Sequence, residues 1–378
     1  MTKNKLFGLI DLDTRFELTK FKLVRMLFKS RWFPLLVILF NLAIFLVILI
    51  AGFIGGYSSG NYNFGVMVVW ILWWVLLMFM LVPVFARSWC LMCPFPIFGE
   101  WFQRGKLFGV KTGKLNGLGL KWPKALKNMW LMNFLFLGTT YFSGFFTVRP
   151  LATFILLGAI ILLAFIVMIV FEKRNFCLYM CPVSGFQGLY SQFAMSEIRR
   201  KDPEICKHHT PKTCFVGNEK GHGCPWNLMP FDFKKNTYCG MCLECFKTCP
   251  YDNMALNVRQ FGVELESKDT KMKSDESLRT LILLGLPLVY TAVLFGSWAW
   301  IKSWGDILLL SSSVGLVQHL FYMILVVDIV LGVLPGLHYL SSIGAKLLSG
   351  SRDISVNKIF VNYSLAYIPL GLMLWAGF

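Results

Sequence analysis

The chain has 378 residues, of which 56% are hydrophobic, 16% aromatic and only 15% charged, with a formal net charge of +17. A soluble domain of this length would be far more polar. The basic excess does not point to nucleic acid, because the cations lie in blocks between long apolar runs.

In chain order, residues 1–32 come first and are basic. Their stretch RFELTKFKLVRMLFKSRW mixes apolar and cationic residues at helical spacing, which predicts an amphipathic helix on the inner membrane surface. Seven apolar runs follow: Phe33–Gly55, Phe64–Phe85, Trp130–Val148, Leu151–Phe171, Leu281–Ile301, Ile307–Leu334 and Phe360–Phe378. Each can cross a bilayer, which takes roughly 20 helical residues. The first has no small-residue cleavage site before it and reads as a retained helix. Of the 37 Lys and Arg, eight precede Phe33, eight lie between Arg87 and Lys127, sixteen between Lys173 and Arg279, and three between Lys346 and Lys358. Only Arg149 and Lys302 fall in the intervening turns. This positive-inside alternation places the N-terminus, the 87–127 loop and the 172–279 segment in the cytoplasm.

Eleven cysteines lie on that side: Cys90, Cys93, Cys177, Cys181, Cys206, Cys214, Cys224, Cys239, Cys242, Cys245 and Cys249. A reducing compartment disfavours a disulfide framework, so metal or redox chemistry is expected. The run Cys239-x2-Cys242-x2-Cys245-x3-Cys249-Pro250 has the ligand spacing of bacterial ferredoxins. Zinc would favour two separated pairs. Upstream, CKHHTPKTCFVGNEKGHGCPW supplies Cys206, Cys214 and Cys224 as a stretched sister run with one cysteine missing. By the crossing rule for two-cluster ferredoxins, Cys224 joins Cys239, Cys242 and Cys245, while Cys249 joins Cys206 and Cys214. The second set has three thiolates. It holds [3Fe–4S], or [4Fe–4S] with a fourth ligand such as His208, His209 or His222. The alternative is one cluster on Cys239, Cys242, Cys245 and Cys249. After the run, YDNMALNV reads as a helix capped by Asp252 or Asn253.

The other four cysteines form pairs at the inner ends of the second and fourth apolar runs. CLMCPFPIFGEW begins at Cys90 and CLYMCPVSGFQGLY at Cys177. Each follows a helical hairpin and ends in Cys-Pro, an internal repeat. Parallel repeats of this kind are related by an axis along the membrane normal, which would bring the pairs together. Three readings stand: a further [4Fe–4S] cluster at the membrane surface, redox-active dithiols, or buried apolar cysteines.

With Cys177–Pro182 and Cys239–Pro250 in view, residues 35–260 resemble the membrane-anchored polyferredoxins typified by NapH and NosR. The resemblance implies transmembrane hairpins, a cytoplasmic ferredoxin-type insert, and electron passage between quinone and a reductase or upkeep of a metalloenzyme. Two departures are the short Cys90-x2-Cys93-Pro94 motif and the cysteine missing from the first ferredoxin run.

The fold expected is an all-α polytopic membrane protein of about seven transmembrane helices with a cytoplasmic ferredoxin-like iron–sulfur insert. Its parts are residues 1–32, the 33–171 repeat region, the 172–278 ferredoxin-like domain and the three-helix region 279–378. A multi-pass place in a prokaryotic inner membrane follows. Expected partners are the lipid bilayer, other redox subunits and membrane quinone, with no nucleic acid. Two further residues are candidates for cofactor binding. Asp328 is the one carboxylate inside a span and could serve protons at a quinone site. His319 could bind haem with another subunit. It cannot pair with His338, roughly 28 Å further along a helix. The sequence therefore points to a membrane-bound iron–sulfur electron-transfer protein. The rival is an assembly or maintenance factor that reduces a metal centre or thiols of a client enzyme.

Overall fold

The computed structural model describes residues 5–6, 10–11, 14–58, 62–110, 115–266, 272–294, 296–308, 312–350 and 353–377. The chain divides into two compact units, each assembled from three stretches: Met1–Val47, Phe79–Lys127 and Leu157–Thr270 in the first, and Ile48–Met78, Asn128–Leu156 and Lys271–Phe378 in the second.

Among the described residues, five helices are long and apolar enough to cross a membrane: Trp32–Gly55, Phe64–Phe85, Pro150–Val170, Ser313–Ser349 and Val356–Gly377. The run expected over Trp130–Val148 is not one helix. Trp130–Tyr141 stops at Phe142 and a short helix resumes at Ser143–Phe146. Near the break the Thr139 and Thr140 hydroxyls both donate to the Phe136 carbonyl, a side-chain bond that competes with regular helix. The run expected over Leu281–Ile301 starts earlier, at Ser274, and ends at Leu294, with a 3-10 segment over Gly296–Gly305 beyond it. The run expected to end at Leu334 continues to Ser349, because a π-helical segment, Asp328–Val333, admits Pro335 without ending the helix. Phe378, the expected end of the last run, lies outside the described residues.

In the first unit a three-stranded antiparallel sheet has the order β1–β3–β2, with β1 Phe16–Glu17, β2 Ser196–Arg200 and β3 Met254–Val258. β3 overturns the expected helix after the cysteine run. Ser196 pairs with Val258 and Arg200 with Met254, so a partner far upstream in sequence decides its conformation. Beneath the sheet, Arg259 donates to Glu197 at 2.8 Å and Glu264 at 3.1 Å, all three buried. The expected amphipathic segment forms a 3-10 turn at Leu18–Lys20 and an α-helix over Lys22–Lys29. Its Phe28 ring meets Phe246 edge-on, and Arg25 and Lys29 pair with Asp252.

In the second unit, Trp375 donates to the Leu283 carbonyl at 3.0 Å, and Arg149 pairs with Asp306 at 2.6 Å.

Candidate metal centres

The two repeats end alike. Past Phe64–Phe85 the chain turns at Ala86 (φ 54), and past Pro150–Val170 at Lys173 (φ 58). Non-glycine residues seldom hold positive φ, so a kink recurring in both repeats marks a constrained site. An arginine follows each kink, Arg87 or Arg174, and a cysteine comes three residues later, Cys90 or Cys177. Short helices Trp89–Met92 and Asn175–Tyr179 carry these cysteines. Cys93-Pro94 and Cys181-Pro182 then lead into helices Ile97–Arg104 and Pro182–Tyr190.

Each arginine seats on the other repeat's second helix. Arg87 donates to the Ser184 hydroxyl. Arg174 grips both oxygens of Glu100, with Nη2 to Oε2 at 2.9 Å, and its Nη1 donates to the Cys90 carbonyl at 2.9 Å. The Cys90 thiol donates to Gln187 Oε1 at 3.6 Å. These crossed contacts bring Cys90, Cys93, Cys177 and Cys181 onto the wall of one cavity, with Trp89, Phe95 and Val183 among its other lining. Burial raises the Glu100 pKa, but Arg104 and Arg174 outweigh it and hold the carboxyl at about 2.

A second cavity is lined by Cys224, Cys239, Cys242 and Cys245, the set the crossing rule groups together. Met241 (φ 48) and Leu243 (φ 64) are left-handed. Backbone of this alternating kind forms anion-holding nests of N–H groups, common at iron–sulfur sites. Asn236 anchors the loop by donating to the Ser191 and Ser196 carbonyls at 3.1 and 2.9 Å. The Trp226 indole forms one wall, and Gly240 lies against it. A Cβ at Gly240 would sit 2.0 Å from the ring. Gly240→Ala should therefore displace Trp226 and cost about 1–3 kcal/mol, read as a lower melting midpoint and lower bound iron. Gly138→Ala, where a Cβ meets nothing within 4 Å, is the control.

Cys206, Cys214 and Cys249 form a third group. Asn253 joins two of them: its N–H donates to Cys249 Sγ at 3.3 Å and its amide to Cys206 Sγ at 3.3 Å. The charges of Cys249 and Cys206 both act on Cys214. None of the three candidate histidines stands among their described partners. His222 donates its N–H to Glu244 at 2.9 Å, His209 packs edge-on against Tyr251, and His208 is exposed.

The donor sets fit an iron–sulfur core better than a single ion. Four thiols ring each of two cavities, the ligand number of a [4Fe–4S] core. Burial, reinforced by neighbouring thiols, pushes Cys224 and Cys239 up to about 11 and Cys242 to about 12, and raises Cys245 well above the usual thiol range. In the other cavity burial lifts Cys181 to about 11, with Cys93 and Cys177 well above their usual range. Thiols so placed become thiolates when they yield their protons to bound metal. Among the described residues, four buried polar atoms nearby have no partner: Arg87 Nε, Gln187 Nε2, Trp226 Nε1 and Thr237 Oγ1. Three of these are N–H donors, which suits sulfide and thiolate acceptors.

Arg87, Arg174, Trp226 and Asn253 escaped the sequence reading. The signal for the arginines was present in the repeat itself, as Arg-x2-Cys-x2-Cys-Pro and Arg-x2-Cys-x3-Cys-Pro. Asp328 and His319 lie in the second unit, whose stretches contain no cysteine. Asp328 is exposed at the start of the π-helical segment, and His319 Nδ1 is 2.8 Å from the Trp304 carbonyl oxygen. His338 is engaged by Tyr367 and the Phe360 carbonyl.

Residues 66–114 and 154–202 each match the family described as a 4Fe-4S binding domain. The two matches contain Cys90 with Cys93 and Cys177 with Cys181, and neither reaches the Cys239 run. No curated protein and no solved structure matches the chain. Apolar helices long enough to span a membrane and a duplicated 4Fe-4S binding segment together support an iron–sulfur protein of the ferredoxin type.

Proposed function

We propose that this protein carries electrons through three iron–sulfur sites between a redox partner and the quinone pool, as a membrane-anchored polyferredoxin. Cys90, Cys93, Cys177 and Cys181 hold one [4Fe–4S] cluster. Cys224, Cys239, Cys242 and Cys245 hold another. Cys206, Cys214 and Cys249 hold the third, [3Fe–4S] or [4Fe–4S] completed by another ligand. The observation that carries this reading is the adjacency of the two four-thiol cavities. Arg174 feels the charges of both Cys177 and Cys242, and Trp226, which lines one cavity, stacks at 4.5 Å on Arg87, which reaches Cys90 in the other. The third group adjoins in turn, since Cys245 feels the charge of Cys214. The pairing of β2 with β3 around short cysteine-bearing helices supports a ferredoxin-like insert, and the distribution of Lys and Arg supports its cytoplasmic side. Iron–sulfur clusters supply one-electron chemistry; the chain binds them, excludes water and offers N–H donors to their sulfurs. Quinone is the carrier that suits a protein anchored by apolar helices.

Iron and acid-labile sulfide per purified chain test this directly. Eleven or about twelve irons are expected from two cubanes and a three-thiolate site. A metal-replete preparation holding four irons, or zinc in their place, defeats it.

A further inference from the structure

Arg87 is 2% exposed. Its Nη1 donates to the Thr237 carbonyl at 2.6 Å, and its Nη2 to the Ser184 hydroxyl and to Cys90 Sγ, the latter at 3.8 Å. Trp226 lies against its guanidinium, and its Nε has no partner. Among the described residues no carboxylate pairs with it. Arg174, its counterpart in the second repeat, is neutralised by Glu100. The contrast matters because arginine keeps its charge inside a protein. A buried cation without a counter-charge is strongly unfavourable. The groups at hand to balance Arg87 are the occupants of the two cavities it separates.

We propose that Arg87 is an electrostatic coupler: its charge is balanced by the net negative clusters on either side and holds both of their reduction potentials up. Resting on the iron–sulfur reading of both cavities, this assigns a role that a mere structural arginine would not have. When one electron enters either cluster from a reduced donor, no bond breaks and no proton moves. The added negative charge is stabilised by the guanidinium beside each site, which raises that site's potential. The third group, which Arg87 does not contact, serves as an internal reference.

The test uses the full-length, cluster-loaded chain in detergent, titrated potentiometrically with EPR detection. The two four-thiol signals are assigned by their loss in Cys181→Ser and Cys242→Ser. In Arg87→Gln the midpoints are read on the cluster-loaded fraction, with iron and sulfide measured alongside. At each wild-type midpoint the reduced-to-oxidised ratio of both four-thiol sites should fall about tenfold, a downward shift of about 59 mV for one electron, while the third signal holds. Arg87→Lys keeps the charge and should leave the midpoints within about threefold in that ratio. If Arg87→Gln fails to accumulate, Arg87→Lys decides alone: unchanged midpoints support the charge-based role, and a tenfold fall overturns it. Iron-replete Arg87→Gln with unmoved midpoints, or with all three signals shifted equally, also overturns it. Absence of iron from the wild-type cavities would instead defeat the underlying iron–sulfur reading.

Discussion

Cys181→Ser is expected to strip about four irons from each chain and to abolish quinone-linked electron exchange. Cys181 is buried on the wall of the repeat cavity and is followed by Pro182, which opens its helix. A serine hydroxyl there is a poor replacement for a soft thiolate on iron, so one corner of the cubane loses its ligand and the cluster its hold. The Cys224–Cys245 site draws on a different loop, so its signals should persist. Cys206→Ser should do the converse, disturbing only the group tied by Asn253. Dithiol chemistry at the repeat pairs would give unchanged iron and two fewer thiols titrated on oxidation. Full iron, full thiol titre and full turnover in Cys181→Ser would reduce these cysteines to packing.

Glu100→Gln should be among the most destabilising single changes in the first unit. Glu100 and Arg174 are 7% and 6% exposed, and Arg104 approaches the same carboxylate at 3.5 Å. Removing one partner of a buried ion pair leaves the other charge unpaired and costs about 3–5 kcal/mol. For a unit of this size the melting midpoint should drop on the order of 10 °C. The same change loosens the guanidinium that holds the Cys90 carbonyl. The pH dependence has a definite sign. The folded-state pKa of Glu100 is depressed from 4.5 to about 2. Its contribution is therefore complete above pH 4.5 and is lost as pH falls toward 2. Tryptophan fluorescence melts should show a full gap between wild type and Glu100→Gln at pH 7, closing below pH 4.5. A gap at pH 7 smaller than about 1 kcal/mol would refute the account.

What the sequence disclosed was chemistry tied to spacing. The Cys239–Cys249 run and the two Cys-Pro pairs could be read because ligand geometry is local in the chain, and the structure gathers them into two four-thiol cavities and a three-thiol group. What it hid depended on distant partners. Arg87 and Arg174 counted as two more cytoplasmic cations, because a charge tally treats a buried guanidinium like an exposed one. Asn253 has the composition of a helix cap, and only the pairing of Met254–Val258 with Ser196–Arg200 turns it toward Cys206 instead. Apolar runs gave the approximate places of membrane helices. They could not give the break at Phe142 or the extension to Ser349, which depend on threonine back-bonding and a π-helical segment.

The exchange of arginines between the repeats bears on how such a molecule could arise. A chain with a single hairpin would own two thiols and a cation with nothing to rest on. Two copies facing each other across a dyad would regenerate the four-thiol cavity, with both arginines in equivalent seats. Fusion of the copies into one polypeptide frees them to diverge. Here a carboxylate meets Arg174 while a hydroxyl meets Arg87. A symmetric ancestor could not have made that distinction. Once made, it gives the cavity two unlike sides, and so lets a conductor that began without polarity acquire an entrance and an exit.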